Sequence, residues 1–441
     1  MFTISRGRIA VSCVLTVLGL TLGAGGGQPS GTNSPPATQT TQPARERASA
    51  VADADVAQLV DGGTAFALDL YRVLRQGQQE KKETTHLFFS PYSVLTALTM
   101  TKAGARGETE AQMSQVLHVG PLGDRLYVTA NALDLRLTVA RQKAAEKKAT
   151  LRLEIANRLW GQTGKPFLPA FLDLLARDYG AELGLLDFAR DAEAARRTIN
   201  DWVAAQTEQK IKDLLPGGSI TPATALVLTN AIYFKGDWLA PFRKDWTYDG
   251  EFHLLSGQTV TVPLMKKEDA LRYAAESGFH AVEMVYAGEV LAMDVIVPDA
   301  GHFAEFERDW DVKRLKSVLA SLKSRPMTLT MPKFTCISEC PLKSVLSSLG
   351  MSIAFTGQAD FSGMDGSRDL FIDEVYHKAF VAVDETGTEA AAATGVPMRE
   401  TALPPKRFEL TIDRPFIFLI RDLPTGAVLF MGYIGDPRGQ G

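Results

Sequence analysis

The chain has 441 residues, of which 45% are hydrophobic and 22% are charged, and its formal net charge is -4. This composition is that of an ordinary globular protein and excludes a mainly disordered or fibrous chain. Because the 47 Lys and Arg residues do not outnumber the 51 Asp and Glu residues, we expect no nucleic-acid partner. Three cysteines and six histidines provide little for a disulfide scaffold or a metal site, so we expect no metal and no cofactor.

The first 25 residues have the layout of a secretory signal peptide. Arg6 and Arg8 precede an apolar run, 9–20, that is too short to cross a bilayer comfortably, and small residues follow it. We expect this segment to be removed, leaving a protein without a membrane span that is secreted to the extracellular space or the periplasm; an uncleaved membrane anchor is the alternative. Residues 26–54, rich in Pro, Thr, Ser and Gln, are predicted to be a disordered linker.

One domain is predicted from residue 55 to residue 441, because no second linker and no repeat follows. Helices dominate its first half. Apolar spacing predicts helices at 61–76 and 191–215, and Ser90 and Pro91 mark the start of another as its N-cap and first turn.

Strands dominate the second half. Residues 225–234 are continuous, apolar and β-prone, which is typical of a strand in the middle of a sheet. Two hairpins are predicted, one from 282–286 and 290–297 and one from 416–420 and 428–434. Helices followed by strands indicate an α+β fold.

Motifs of catalysis are missing from the chain. We find no nucleophile elbow, P-loop, zincin motif or dinucleotide fingerprint outside the glycine run of the signal region, so an enzyme is not predicted. Cys336 and Cys340 are four residues apart, a spacing poor for zinc without two further ligands. A local disulfide and two free thiols are both open for this pair.

An alternating strand runs directly into a tract of small residues within the segment 376–405. Such a tract has little to bury, so an exposed loop is predicted. Yet Thr388, Ala390, Ala392 and Thr394 recur at period two, and a strand with these side chains inward could enter a packed sheet without overfilling its core. The alternative from composition alone is an Ala-rich helix or a flexible linker.

This loop and five further motifs resemble the serpin family of protease inhibitors over residues 55–441. The motifs, in chain order, are Phe88-Phe89-Ser90-Pro91, Asn230 to Trp238, Pro332-Lys333-Phe334 with 342–350, Asp360 to Met364, the hinge from Glu385 to Ala392, and Leu410 to Phe418. The resemblance implies the α+β serpin fold: a mainly helical N-terminal half around a large central β-sheet, with further sheets and an exposed reactive-centre loop. A bacterial source is a further expectation.

The resemblance also implies inhibition by a suicide mechanism. The target protease would cleave the loop and form an acyl-enzyme, and the freed loop would insert into the central sheet before deacylation. Serine endopeptidases are the expected targets, with cysteine endopeptidases as a second class, and the inhibitor is expected to be a monomer. A non-inhibitory serpin acting as carrier, chaperone or storage protein is the main alternative, and a hydrolase is a weaker one.

The family pattern assigns roles to three groups of residues. The hinge would comprise Glu385, Gly387, Thr388, Glu389, Ala390, Ala391, Ala392, Ala393 and Thr394. The polar cluster that controls opening of the sheet would comprise Ser90, Ser93, Asn230 and His377. The upper insertion path would be lined by Trp238, Lys333 and Glu385, with an ion pair between the last two.

The same pattern predicts the bond that the protease cleaves. With Glu385 as the seventeenth residue before that bond, cleavage falls between Thr401 and Ala402, and Pro404 follows where such loops often carry proline. A Thr before the bond suits elastase-like or subtilisin-like proteases. The rival bond is between Arg399 and Glu400, which would suit a trypsin-like protease.

Overall fold

A computed structural model describes residues 44–47, 51–81, 86–146, 150–388 and 408–438. These residues belong to one compact unit. The helices of the described part are α1 (Asp53–Lys81), α2 (Pro91–Lys102), α3 (Gly107–Val116), α4 (Leu126–Glu146), α5 (Pro169–Leu174), α6 (Ala192–Gln206), α7 (Phe303–Arg308), α8 (Val312–Ser321), α9 (Lys343–Ser348) and α10 (Ser362–Asp365). A single π-helical turn, Leu175–Tyr179, follows α5.

Fifteen strands lie in the described residues. They are β1 (His86–Phe89), β2 (Leu151–Gln162), β3 (Gly184–Leu186), β4 (Leu226–Asp237), β5 (Arg243–His253), β6 (Thr259–Glu276), β7 (Phe279–Val285), β8 (Leu291–Pro298), β9 (Lys323–Pro332), β10 (Phe334–Pro341), β11 (Val375–Val383), β12 (Gly387–Thr388), β13 (Phe408–Thr411), β14 (Phe416–Asp422) and β15 (Val428–Ile434). The predicted α+β architecture, with helices concentrated in the first half, is therefore observed.

The strands form two sheets. A nine-stranded sheet has the order β1-β15-β14-β8-β7-β6-β9-β13, with β5 paired to β6. A six-stranded sheet has the order β10-β11-β12-β4-β2-β3, and β11 also pairs directly with β4. Both predicted hairpins, β7–β8 and β14–β15, lie in the nine-stranded sheet and pair antiparallel.

Helix α2 connects the two sheets through the hydrophobic core. It starts as predicted: Ser90 is the N-cap, its hydroxyl accepts a hydrogen bond from the backbone N–H of Ser93, and Pro91 occupies the first turn. Eleven of the twelve residues of α2 are buried, and it packs against β15 on one side and against β2 and β4 on the other. Movement of β2 or β4 in the six-stranded sheet would therefore act directly on the packing of this helix.

Sequence-based boundaries differ from the structure at two of the predicted helices: the helix predicted at 61–76 is α1, which is longer at both ends (Asp53–Lys81), and the helix predicted at 191–215 is α6, which is shorter. Helix α1 begins at Asp53, so regular structure starts before the predicted domain boundary at residue 55, and Arg45 of the predicted linker contacts α4. Helix α6 ends at Gln206 rather than 215, because Glu208 and Gln209 adopt positive φ angles that interrupt the helix. Its predicted extent was wrong.

Candidate functional site

A seam between β11 and β4 runs through the six-stranded sheet. The two strands pair in parallel from Val375 opposite Leu228 to Phe380 opposite Tyr233. Beyond Phe380 they separate, and the two-residue strand β12 lies between them. The sheet is thus closed along six residue pairs and opened at one end by the start of the predicted hinge.

Strand β12 fits this opening because its first residue has no side chain. A Cβ atom on Gly387 would lie 2.1 Å from the carbonyl oxygen of Gly236, far inside contact distance. The next residue, Thr388, is fully buried and is paired with Val383 of β11 and with Gly236 of β4. Its hydroxyl shares a 2.8 Å hydrogen bond with the hydroxyl of Tyr286. The hinge residue expected to face inward therefore already does so.

The residues predicted for the upper insertion path surround this opening. Lys333 Nζ lies 2.7 Å from Glu385 Oε1, and the Thr247 hydroxyl donates to the same oxygen over 2.6 Å. Burial alone would raise the pKa of the Glu385 carboxyl, but the hydrogen bonds from Lys333 and Thr247 hold that pKa below its usual value. Glu385 is thus fixed as a carboxylate at the base of the loop.

Trp238 holds the backbone of the same turn. Its ring stacks on Tyr286 with centroids 4.5 Å apart, and its Nε1 donates to the carbonyl of Asp384 over 3.0 Å. The backbone N–H of Trp238 donates to the carbonyl of Thr386. Because Tyr286 also contacts Thr388, one stacked aromatic pair supports both the turn before β12 and its inward-facing side chain.

The four residues predicted to form the polar cluster lie together beneath the seam. His377 Nε2 accepts the backbone N–H of Ser90 over 3.0 Å, and its Nδ1 is bonded to Asn230 Oδ1. Asn230 Nδ2 donates to the hydroxyl of Ser93 over 2.8 Å. The Ser90 hydroxyl donates to the carbonyl of Leu429 in β15. All four side chains are buried, and the cluster joins α2 to both sheets.

The sequence did not reveal a fifth member, Asn157 of β2. Its Oδ1 accepts from Ser93 Oγ over 3.0 Å and from Asn230 Nδ2 over 2.7 Å, while its Nδ2 donates to the carbonyl of Ser93. Asn157 stands directly opposite Asn230 in the β2–β4 ladder. An Asn in an otherwise β-prone strand was the only signal, and its partner depended on strand pairing that the sequence does not display.

His377 is held neutral within this cluster. Burial lowers the pKa of its imidazole to about 3, because the charged form would lose its hydration. Since Ser90 donates to Nε2, that nitrogen carries no proton and Nδ1 donates to Asn230. His377 and Asn230 are direct partners across the seam, so any strand entering between β11 and β4 must break this hydrogen bond.

Part of the predicted site lies outside the described residues. This applies to the hinge residues Glu389 to Thr394 and to both candidate bonds, Thr401–Ala402 and Arg399–Glu400. Their assignments stay predictions from the sequence. The described loop flanks are β12 and β13, which lie in different sheets.

The two cysteines of β10 are free thiols. Cys336 and Cys340 are both buried on one face of the strand. Four residues of extended chain span about 13 Å, well beyond the 4.4–6.8 Å that a disulfide requires between Cα atoms. Burial raises the pKa of the Cys340 thiol, so neither chemistry nor position favours a reactive cysteine here.

Comparisons with known proteins agree with this geometry. The family profile described as Serpin (serine protease inhibitor) matches residues 61–437. The chain is 38% identical over 390 residues to leukocyte elastase inhibitor from Sus scrofa and to leukocyte elastase inhibitor A from Mus musculus, with 86% of this chain and 100% of each relative covered. It is 36% identical over 391 residues to leukocyte elastase inhibitor from Homo sapiens, with the same coverage. These relatives are animal proteins and give the expected bacterial source no support.

A solved structure supports the fold. The crystal structure of uncleaved ovalbumin superposes with a TM-score of 0.73 at 25% sequence identity, covering 86% of this chain and 100% of that chain. The predicted fold class is confirmed. Within the described residues, no helix is both long and apolar enough to cross a membrane.

Proposed function

The chain belongs to the serpin family, and on that premise we propose that it inhibits serine endopeptidases as a suicide substrate. The protease cleaves the loop that follows β12 and is trapped as an acyl-enzyme while the freed loop enters the seam between β11 and β4. Cysteine endopeptidases are a second target class. The chain acts as an inhibitor and not as an enzyme, in keeping with relatives named elastase inhibitors.

The observation that carries this proposal is the position of β12. The first two residues of the insertable segment already lie between the strands that must separate, with Thr388 buried and paired on both sides. Loop insertion therefore extends an existing strand and needs no new nucleation. The seam ahead of it is held by a parallel pairing of six residues and by the polar cluster.

A non-inhibitory serpin would share this fold but would gain nothing from an insertable hinge. In such a protein, bulky or charged residues are expected where the inserted strand turns inward. Here the inward positions after Thr388 are Ala390, Ala392 and Thr394 in the sequence, all small enough for a packed sheet. This choice of residues favours the inhibitor over the carrier, chaperone or storage alternative.

The target is proposed from the loop sequence and from the relatives. Thr401 before the cleaved bond suits elastase-like or subtilisin-like proteases with small or permissive pockets. The relatives described above carry the name leukocyte elastase inhibitor, which agrees with an elastase-like target. If Arg399 is the bait instead, a trypsin-like protease is the target. We further propose that the protein is a monomer, secreted after removal of residues 1–25.

One experiment tests both the inhibitory mechanism and the cleaved bond. The purified protein is incubated with elastase-like, subtilisin-like and trypsin-like serine proteases and with a cysteine protease, followed by denaturing gels and mass spectrometry. We expect a covalent complex and a released C-terminal peptide beginning at Ala402. A peptide beginning at Glu400 would assign the bait to Arg399, and cleavage by every protease without any complex would favour the non-inhibitory alternative.

A further inference from the structure

The short segment 44–47, which precedes α1, is bonded to two elements that are distant from it in sequence. Arg45 Nη2 lies 2.7 Å from Asp134 Oδ2 of α4, and Arg45 Nε donates to Asn131 Oδ1 over 3.0 Å. The backbone N–H of Glu46 donates to the carbonyl of Arg177, in the turn Leu175–Tyr179, over 3.0 Å. The segment therefore bridges α4 and that turn.

At the α4 end of this bridge, the buried side chain of Asn131 forms its hydrogen bonds with the segment. Asn131 is 1% exposed, and both of its amide bonds in the described chain go to this segment: Oδ1 accepts from Arg45, and Nδ2 donates to the carbonyl of Glu46 over 2.8 Å. A buried amide without partners is costly, so Asn131 is an anchor and not a chance surface contact. Asp134 is itself positioned by the hydroxyl of Tyr92, which donates over 3.0 Å.

At the other end of the bridge, Arg45 packs closely against Gly180, which directly follows the turn. A Cβ atom on Gly180, directly after the turn, would lie 2.7 Å from Arg45 Cδ, so the glycine makes room for the arginine stem. Together Arg45, Asp134 and Gly180 form part of the wall of a cavity of about 370 Å³ between α2, α4 and β2. Within the segment, Arg45 is the residue that lines this cavity, beside α4 and the turn.

We propose that residues 44–47 form a strap that restrains the moving half of the six-stranded sheet. The Leu175–Tyr179 turn leads into β3, which pairs with β2, and β2 pairs with β4. A strand entering the seam must push β4, β2 and β3 away from β11. Helix α4 packs on α1, which contacts β15 of the nine-stranded sheet, and it also contacts β2 and the turn directly. The strap therefore reinforces the junction between the moving half and the part that stays in place.

The strap has a structural and a functional consequence, and only the second rests on the proposed inhibition. Releasing the strap should loosen the turn before β3 in the intact protein. It should also let the cleaved loop enter the seam faster, so that a larger fraction of encounters ends in a trapped protease. The strap thus acts as a brake that slows insertion.

Arg45→Ala in the full chain tests the structural consequence, with Arg47→Ala as the matched control because Arg47 is exposed in the same segment. The amides of Gly180 and Ala181, bonded to Ala176 and Leu175, should exchange hydrogen about fivefold faster in Arg45→Ala and unchanged in Arg47→Ala. Asp134→Asn should have a similar effect, and combining it with Arg45→Ala should add little. Equal exchange in Arg45→Ala and Arg47→Ala would overturn the strap.

The functional consequence has its own readout. The ratio of covalent complex to cleaved, free inhibitor should rise in Arg45→Ala and stay at the wild-type value in Arg47→Ala. An unchanged ratio together with faster exchange would overturn the brake. If the wild-type protein forms no complex with any protease, the proposed function fails, while the exchange measurement still decides whether the strap exists.

Discussion

At the scale of single residues, Gly387 sets how the hinge enters the sheet. Its lack of a side chain lets the backbone of β12 approach Gly236 and Asp237 more closely than any other residue could. The sequence shows this glycine as part of a motif, but the physical reason for it, close contact with the backbone of β4, depends on strand pairing that the sequence does not display.

Replacing Gly387 with valine should expel β12 from the seam. Because a Cβ would collide with backbone and not with a movable side chain, we expect the hydrogen bond between Thr388 and Tyr286 to be lost and the free energy of unfolding to fall by about 1–3 kcal/mol. Urea unfolding of the intact protein measures this. Gly217→Ala is the control, since nothing lies within 4 Å of a Cβ at that position; an equal loss in both variants would contradict the argument.

His377 gives a pH dependence whose sign follows from its burial. Its pKa is lowered from 6.5 to about 3 in the folded protein, so the unfolded chain binds more protons between these values. The stabilisation is complete above about pH 6.5 and is lost progressively as the pH falls towards 3. Between pH 7 and pH 5 the loss should be about 2 kcal/mol, at 1.36 kcal/mol per pH unit.

The measurement is the free energy of unfolding of the wild type and of His377→Gln, each at pH 7 and at pH 5. The loss between the two pH values is compared between the two proteins. The variant is needed because a second buried group acts in the opposite direction. Burial raises the pKa of Asp294 to about 7, so that carboxyl stabilises the folded state as the pH falls in both proteins. The wild type should lose more of its unfolding free energy than the variant does. Parallel losses in the two proteins would show that His377 is not buried in its neutral form.

At the scale of elements, the pairing of β12 fixes where the rest of the loop would go. Thr388 is paired with Val383 and Gly236, and continuing the same antiparallel pairing places Ala392 between Ala379 and Ile232. By the same count Thr394 would fall between His377 and Asn230, where its hydroxyl would be placed to bond the two groups that the incoming strand separates. Counting from Val383 on β11 and counting from Gly236 on β4 give the same alignment. Ala379 and Ile232 are paired directly with each other in the closed seam.

The seam also limits how far insertion needs to proceed. Its last pair, Val375 with Leu228, would receive Val396, so Pro397 lies just past the closed part of the seam. A proline there forfeits no hydrogen bond within the present pairing. The length of the seam, which decides where the proline would fall, cannot be read from the sequence.

Ala392→Arg should convert the inhibitor into a substrate. The inward position between Ala379 and Ile232, both fully buried, would have to accept an unpaired charge at a cost of several kcal/mol. Insertion should slow while cleavage of the loop continues, so denaturing gels should show cleaved protein and active protease in place of the complex.

Glu389→Arg is the matched control for Ala392→Arg. Residue 389 alternates with Thr388 and should face outward in the inserted strand, so this variant should keep most of the complex formation. If both variants trap protease as well as the wild type does, the loop does not act by insertion.

The helical and strand elements show where sequence reasoning succeeds and fails. Local signals predicted α2 with its cap and the two hairpins, because these depend on neighbouring residues. The end of α6 was missed because apolar residues continue at helical spacing to Ile211 and Leu214, which are buried in a non-helical segment. The contacts of Asn157, and those of the strap with α4, join residues more than 60 positions apart, and a sequence pattern contains no such pairing.

At the scale of the whole molecule, the intact protein is expected to be less stable than its loop-cleaved form. The closed seam is a parallel pairing with a two-residue strand at one end, whereas insertion would give β11 and β4 a full antiparallel neighbour between them. Antiparallel ladders are slightly more stable per residue, and the inserted strand forms hydrogen bonds on both of its sides. The cluster around His377 would be retained if Thr394 supplies the bond that is lost.

Cleavage of the loop should therefore raise the melting temperature by tens of degrees. A net gain on the order of 10 kcal/mol corresponds to that range, since 1 kcal/mol shifts the midpoint by about 2–4 °C in proteins of 150–250 residues. Differential scanning calorimetry before and after limited proteolysis measures the change, and Ala392→Arg should show a much smaller rise because its loop is cut but does not insert. Equal melting temperatures for intact and cleaved wild-type protein would mean that the seam stays closed, and the chain would then be a carrier-type serpin whose hinge ends at β12.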